Sequence, residues 1–224
     1  MSRKPEVIIS GFADEGPADK RAESQLTMLA ALGLSFYSVR FVDLGNGVKN
    51  AMALNKAEIR RLKRLHREFG IQVSSLGSPI GKLKLQDVED GTNNSYVPFS
   101  TYLRGDVQRA VSLAVELETR CIRGFSFYHP RGTDPAGFLD QAAERLSRIV
   151  EVCADAGLLF GLEVEANLIG QDGHLLRALQ RRVNNPNLYL IFDGGNLASQ
   201  NLPPQQTFAE YTAMKSGMGW MHIK

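Results

Sequence analysis

The stretch GLEVEANLIG, residues 161–170, sets two carboxylates, Glu163 and Glu165, in an otherwise apolar segment. Side chains of a β-strand alternate between its two faces, so residues 163 and 165 are expected to point the same way. Leu162 and Val164 then point the other way. Because a buried carboxylate without a partner is strongly destabilising, the pair must face water, a counter-charge or a cation.

Around this stretch, short apolar runs alternate with longer amphipathic segments along the whole chain. The apolar runs predict strands at residues 6–12, 34–42, 71–78, 119–128, 158–166, 188–196 and 219–224. The amphipathic segments predict helices at residues 16–33, 55–70, 99–118, 134–157, 173–183 and 203–217. Strands separated by helices indicate parallel β-α-β units, and therefore an α/β protein.

The order of these elements favours a (β/α)8 TIM barrel. A Rossmann fold is disfavoured because no glycine-rich dinucleotide turn follows the first predicted strand. The chain has 224 residues, whereas such barrels typically need about 250. We therefore predict one domain over residues 1–224, a barrel incomplete at its C-terminus, with the eighth strand missing. Such a barrel would expose two strand edges, and whether it pairs with another chain or is a fragment of a longer enzyme stays open.

Composition narrows the functional classes. Hydrophobic residues make up 43% and charged residues 22% of the chain, and the formal net charge is +2. This near-balance gives no electrostatic footprint for nucleic acid or an anionic membrane. No signal peptide or bilayer-spanning apolar run is found, and Cys121 and Cys153 fit buried free thiols. We expect a cytoplasmic protein whose partner is a small molecule, and association into homo-oligomers stays open.

Polar residues recur where the predicted strands end, which is where TIM barrels carry their chemistry. They are Asp14, Glu15, Arg40, Ser78, Lys82, Arg123, Ser126, Tyr128, His129, Glu163, Glu165, Asp193, Asn196 and His222. Each has a structural alternative: Asp193 as a turn residue, Arg123 as an ion-pair partner of either glutamate, His222 as a hydrogen-bonded histidine. Together, carboxylate, carboxylate and imidazole from three successive strands suit a divalent ion such as Mn²⁺, Zn²⁺, Co²⁺ or Mg²⁺.

Six motifs, in their order along the chain, resemble the sugar phosphate isomerase/epimerase family of xylose-isomerase-like TIM barrels. They are SGFADE (10–15), GSPIGK (77–82), RGFSFY (123–128), LEVEANLIG (162–170), FDGGN (192–196) and HIK (222–224). The resemblance implies a divalent metal held by residues from strands five to eight. The matching ligands are Glu163, with Glu165 as the alternative, Asp193 and His222; the strand-eight glutamate has no counterpart. Many relatives carry a histidine where this chain has Asn196.

The same resemblance implies a metal-dependent isomerase or epimerase of a small sugar or polyol, acting by proton abstraction alpha to a carbonyl. Glu163 would be both a metal ligand and the base. The residues expected to bind substrate are Lys82, Arg123, Ser126 and Asn196. A catalytically incomplete or sugar-binding member of the same family is the alternative. The same barrel also hosts a DNA-repair endonuclease, but four histidines and little net charge disfavour that activity.

Overall fold

The computed structural model describes residues 7–224, which pack as two compact units. Among the described residues, the first unit consists of residues 7–78 and Ser112–Arg120, and the second consists of Pro79–Val111 and Cys121–Lys224. The expectation of a single domain over residues 1–224 stays a prediction. The two units are described separately below.

The first unit contains a parallel sheet of three strands in the order β1, β2, β5. Its two helices lie in the chain between these strands, within the segments that the sequence pattern predicts as helical. The strands are β1 (Gly11–Phe12), β2 (Phe36–Val39) and β5 (Gln72–Gly77), and the helices are α1 (Ala22–Ala31) and α2 (Lys56–Phe69). In the chain, an antiparallel hairpin of β3 (Phe41–Asp43) and β4 (Val48–Asn50) lies between β2 and α2. The sequence pattern did not predict this hairpin.

Two predicted strands of this unit are corrected by the structure. Of residues 6–12, only Gly11–Phe12 are in a strand, Glu6 lies outside the described residues, and the apolar side chains of Val7 and Ile9 are 85% and 71% exposed. The predicted strand 34–42 is interrupted at Arg40. There the chain leaves the ladder, and the guanidinium donates to Asp14 Oδ2 from Nε (3.0 Å) and from a terminal nitrogen (2.8 Å).

Helix α2 shows how local sequence fixes its own ends. Asn55 Oδ1 accepts from the backbone N–H of Glu58 at 3.0 Å, and Glu58 returns a hydrogen bond from Oε2 to the N–H of Asn55 at 2.9 Å. This capping box satisfies backbone donors that have no partner within the helix. Gly70 ends the helix with φ of +66°, a conformation that glycine adopts without a Cβ penalty. The two caps lie at the ends of the segment predicted as a helix, residues 55–70.

The first unit also buries a titratable histidine on α2. His66 lies 9% exposed, with its Nε2 2.8 Å from the hydroxyl of Tyr37. Burial favours the neutral imidazole and lowers the pKa of His66 to about 4, from an ordinary 6.5. The protonated form is therefore disfavoured in the folded chain.

This histidine predicts an acid-sensitive fold. Between pH 6.5 and about 4 the unfolded chain binds a proton that the folded chain does not. The stability contributed by neutral His66 is therefore present above that window and is lost as the pH falls through it. Urea unfolding at about pH 7 and about pH 4.5 should show a loss of about 2–3 kcal/mol from this group. His66→Gln should lose less on the same acidification, and an equal loss in both proteins would contradict the assignment.

The second unit contains a parallel sheet of four strands in sequence order. They are β6 (Cys121–Gly124), β7 (Leu159–Glu163), β8 (Leu188–Asp193) and β9 (Met218–His222). Its helices include α5 (Leu139–Asp155), α6 (Gly173–Val183), α7 (Gly194–Ala198) and α8 (Pro204–Met214). The segment predicted as one helix at 99–118 comprises α3 (Phe99–Tyr102), a π-helical turn (Leu103–Val107) and α4 (Gln108–Glu116). The part of α4 from Ser112 onward belongs to the first unit.

Three strands of this unit are shorter than predicted, and β7 and β8 each end at a polar residue, Glu163 and Asp193. Strand β6 stops at Gly124, and Phe127 beyond it has φ of +73°, which a ladder does not accept. Strand β8 stops at Asp193, whose side chain caps α7. Strand β7 stops at Glu163, so Glu165 is not part of it. The expectation that both glutamates lie in one strand is therefore wrong, although both carboxylates still converge on Asn196 Nδ2.

The seven predicted barrel strands are present in shortened form, each parallel to its neighbours within its unit. The α/β class is confirmed, and residues 7–224 contain no eighth barrel strand. Both cysteines are free thiols whose pKa burial raises to about 12. No helix within residues 7–224 has the length and apolar character needed to cross a membrane. The cytoplasmic location stays a prediction.

Candidate metal site

Three potential metal ligands meet where neighbouring strands of the second unit end. Glu163 is the last residue of β7, Asp193 of β8 and His222 of β9, and Asp193 is the register partner of His222. One ligand atom from each lies within 4.8 Å of the other two. Glu163 is 4% and Asp193 0% exposed. The parallel register thus brings together side chains that are far apart in sequence.

Hydrogen bonds orient this cluster from within. His222 Nδ1 lies 3.0 Å from Glu163 Oε1 and 3.4 Å from Asp193 Oδ2. Asp193 Oδ1 accepts from the backbone N–H of Asn196 at 2.9 Å and so caps α7. That contact fixes the rotation of the carboxylate and turns Oδ2 toward the imidazole. A side chain placed this way is held before any ligand arrives.

The surroundings of the cluster favour the charged forms of His222 and Asp193. Burial of His222 opposes protonation, but its hydrogen bonds to Asp193 and Glu163 outweigh that effect and raise its pKa. Burial of Asp193 would raise the pKa of that carboxyl, but hydrogen bonds from His222, Lys224 and the Asn196 backbone hold it well below its usual range. Asp193 is therefore ionised at neutral pH, and its buried negative charge attracts a cation.

The residues present fit a divalent cation. A fully buried carboxylate, a second carboxylate and an imidazole converge within one coordination sphere, and Asp193 Oδ2 already faces positively polarised groups. This oxygen and nitrogen donor set is typical of Zn²⁺, Mn²⁺ and related ions. Glu163, and not Glu165, is the glutamate that lies with Asp193 and His222. Its role as a ligand remains a prediction.

Asn196 links the cluster to Glu165. Its Nδ2 donates to Glu163 Oε1 (3.3 Å), Val164 O (3.0 Å) and Glu165 Oε2 (3.0 Å). The two glutamates therefore share one amide nitrogen, although only Glu163 ends a strand. This side chain positions both carboxylates, and its predicted contact with substrate stays a prediction.

Two cations lie beside the glutamates. Arg123 is buried, with Nε 3.4 Å from Glu163 Oε2 and its guanidinium 4.7 Å from the ring of Phe125. Lys82 Nζ lies 3.2 Å from Glu165 Oε1 and 4.2 Å from the centre of the same ring. Arg123 therefore forms the ion pair that the sequence left open. Lys82, one-third exposed, is the more accessible of the two.

Ser126 differs from the other predicted substrate-binding residues. It is fully buried, and its Oγ accepts a hydrogen bond from the backbone N–H of Gly170 at 2.7 Å. This contact ties the segment after β6 to the segment after β7. The structure therefore gives Ser126 a structural partner, and its contact with substrate stays a prediction.

The residue that sequence reasoning missed is Lys224. Its Nζ lies 2.8 Å from Asp193 Oδ2 and donates to Asn196 Oδ1 at 2.8 Å. A signal for it exists in the motif HIK, because residues two apart in an extended segment point to the same side, and His222 was already a candidate.

A second group of ionisable residues has a structural explanation. Glu210 Oε2 accepts from the backbone N–H of Gly173 at 2.9 Å and lies 2.9 Å from His174 Nδ1, beside Asp172. A carboxylate at the first turn of α6 satisfies free backbone donors and interacts favourably with the helix dipole. These contacts join α6 to α8 and account for the cluster without a ligand.

The fold and the cluster define a TIM-barrel protein with a candidate metal site at the C-terminal ends of its strands. Residues 26–224 match the model of the xylose isomerase-like TIM barrel family, and the chain belongs to that family. This confirms the family suggested by the six motifs. No curated protein matches the sequence significantly.

Solved structures with the same fold include several enzymes. D-allulose 3-epimerase from Methylomonas sp. has 18% identity and a TM-score of 0.69, over 98% of this chain and 73% of that one. The probable 3-DHS dehydratase AsbF from Bacillus anthracis has 13% identity and a TM-score of 0.68, over 97% and 73%. A xylose isomerase-like TIM barrel protein from Mycobacterium smegmatis, in complex with magnesium, has 17% identity and a TM-score of 0.68, over 97% and 74%. At these identities the likeness concerns the fold.

Proposed function

We propose that the protein is a metal-dependent isomerase or epimerase acting on a small sugar or related polyol. The observation that carries this proposal is the convergence of Glu163, Asp193 and His222 at the ends of three adjacent strands. Family membership supports it, as do solved structures of sugar 3-epimerases with the same fold. A magnesium complex of a protein with this fold supports a divalent ion.

In this mechanism Glu163, Asp193 and His222 hold the divalent ion, which when bound polarises the substrate oxygens next to the reacting carbon. Glu163 Oε1 faces the cluster, and Oε2 is left to take the proton from the carbon alpha to the carbonyl. Arg123 Nε, 3.4 Å from Oε2, holds this oxygen in position. Return of the proton from Glu163 to the neighbouring carbon, with transfer of the hydroxyl proton to the former carbonyl oxygen, gives an isomer. Formation of an epimer requires a second acid on the opposite face of the same carbon, a role that Glu163 alone does not fill.

The remaining polar groups suit a polyhydroxylated substrate. Lys82 offers donors and Glu165 offers acceptors, and both side chains are about one-third exposed. The ring of Phe125 lies beneath the ammonium of Lys82, which limits the positions that this side chain takes. In the proposal, Lys82, Glu165 and Asn196 bind substrate hydroxyls and orient the reacting carbon above Glu163.

One observation favours a second candidate, a sugar-binding or catalytically incomplete member of the family. Lys224 meets Asp193 and Arg123 meets Glu163, so that side chains of the same unit compensate both buried carboxylates. A site balanced in this way is stable without an ion. The two candidates differ in metal content and in turnover.

Metal analysis of the purified protein tests the proposal. We expect about one divalent ion per wild-type chain, as in catalytic sites with three protein ligands, and loss of that ion in Asp193→Ala. Asp193→Asn is a second variant, because its retained Oδ1 keeps the cap on α7 while the charge is removed. Asp140→Ala, at a largely exposed side chain, is the control and should retain the ion.

Turnover is then assayed with ketoses and their epimers, with the wild type and Asp193→Asn compared side by side. Metal-dependent interconversion of one pair supports the enzyme. If the wild-type chain takes up no ion after soaking in Mn²⁺ and Zn²⁺, the metal-dependent enzyme is contradicted. Sugar binding by that metal-free protein would then identify the second candidate.

A further inference from the structure

We propose that Lys224 is the resident cation of the metal-free site, which a divalent ion must displace in order to bind. The inference rests on the proposed metal site at Glu163, Asp193 and His222. It adds a residue that tunes metal affinity and holds the site together while no ion is bound.

The geometry places the ammonium of Lys224 on the oxygen that an ion needs. Asp193 Oδ1 is occupied by the backbone N–H of Asn196, which leaves Oδ2 to face the other two ligands. Lys224 Nζ lies 2.8 Å from this Oδ2. A divalent ion would approach the same oxygen to about 2.0–2.2 Å. Because two cations so close to one oxygen repel each other, they compete for it.

The burial of Asp193 explains why such a cation is needed. The carboxylate is completely buried, and a buried charge without a partner is strongly destabilising. Partial compensation comes from His222, but that imidazole also binds Glu163. Lys224 supplies a full positive charge, and so it stabilises the metal-free fold around the ends of β8 and β9.

The same side chain is free to leave. Lys224 is 46% exposed, and its flexible stem lets the ammonium move toward solvent at little cost. Its second partner, Asn196 Oδ1 at 2.8 Å, lies on the exposed side of the contact and offers a place to remain after displacement. A displaceable cation must pair closely with the carboxylate and must also be able to move into solvent. Lys224 meets both conditions.

The test compares Lys224→Met with Lys224→Arg and with Lys215→Met, an exposed lysine of the turn after α8. Methionine keeps most of the length of the side chain and removes its charge, whereas arginine keeps the charge. Each protein is freed of metal with a chelator, and Mn²⁺ binding is measured by isothermal titration calorimetry. Thermal melting is measured with and without Mn²⁺.

We expect Lys224→Met to bind Mn²⁺ at least about tenfold more tightly than the wild type, because no competing charge remains. Its metal-free form should melt at a lower temperature, and the difference should vanish with saturating Mn²⁺. Lys224→Arg should stay close to the wild type in affinity, and Lys215→Met should match it in both measurements. This combination separates competition at Asp193 from a general change in surface charge.

Unchanged or weaker Mn²⁺ binding by Lys224→Met, with normal binding by the wild type, would overturn the inference and leave the proposed metal site standing. Absence of Mn²⁺ binding in all four proteins would instead contradict the proposed site, and the inference with it. The two failures are thus distinguishable in one set of titrations.

Discussion

Replacing Glu163 by glutamine is expected to lower kcat by about 10²–10⁴-fold, the usual contribution of a single general base. Glutamine has nearly the same shape as glutamate but cannot accept the alpha proton. Glu163 is also a proposed metal ligand, so the loss of its charge is expected to weaken metal binding. Its two carboxylate oxygens contact His222 and Arg123. Turnover is measured with the sugar identified in the screen, at metal concentrations that saturate each protein.

The matched control is Glu165→Gln, two residues further along the chain. Glu165 lies outside the three-ligand group and contacts Lys82 and Asn196, so we expect its variant to change KM more than kcat. Exchange of the substrate alpha proton with D2O gives a second readout, and it should stop in Glu163→Gln while continuing in Glu165→Gln. The reverse pattern would assign the base to Glu165, the alternative that the sequence left open.

The second large effect is expected for Gly81→Ala, in the segment that carries Lys82. Gly81 has φ of +90°, and a Cβ built on it would lie 2.0 Å from the carbonyl oxygen of Phe125. The same backbone is held in place by hydrogen bonds, since Gly81 N donates to the hydroxyl of Tyr102 and Gly81 O accepts from Phe127 N–H. The clash therefore cannot be relieved by a small local shift.

We expect Gly81→Ala to reduce the free energy of unfolding by about 3 kcal/mol or more, from unfavourable φ together with overpacking. Urea unfolding followed by circular dichroism measures the change. The control is Gly137→Ala, where φ is not positive and no atom lies within 4 Å of the added Cβ. That variant should lie close to the wild type. A Gly81→Ala midpoint equal to that of Gly137→Ala would show that the segment is able to move away from Phe125.

Movement of the Gly81 segment also bears on the site. Lys82 follows directly, and its contact with Glu165 depends on the path of this backbone. If Gly81→Ala remains folded at low temperature, a weakened substrate affinity with kcat less affected would support a binding role for Lys82. The stability and the kinetics of one variant thus test separate aspects of the loop.

Much of the candidate site was accessible from the sequence because its residues stand at the ends of periodic segments. Apolar runs predict strands and amphipathic segments predict helices from neighbouring residues alone. The first polar residue after an apolar run then indicates where the strand ends. Asp193 and His222 were found in this way, and the capping of α2 by Asn55 and Gly70 followed from its own residues. These features depend on side chains close in sequence.

Other features depend on residues far apart in sequence. Arg40 leaves its strand to meet Asp14, which splits one predicted strand and permits the hairpin of β3 and β4. Beyond the last residue of β7, Val164 N–H still donates to Ile191 O of β8, and the chain turns toward Gly170 at Glu165. Alternation of residue types alone contains no information on where a ladder stops.

By itself, then, the sequence determined the alternation of strands and helices, the α/β class and the residue types that collect at strand ends. The tertiary structure decided which glutamate joins Asp193 and His222, that Asn196 holds both glutamates, and that the ammonium of Lys224 lies on the Asp193 carboxylate. The reason is physical. Periodicity and capping are set by neighbours in the chain, whereas register, burial and charge pairing arise only when distant segments pack together.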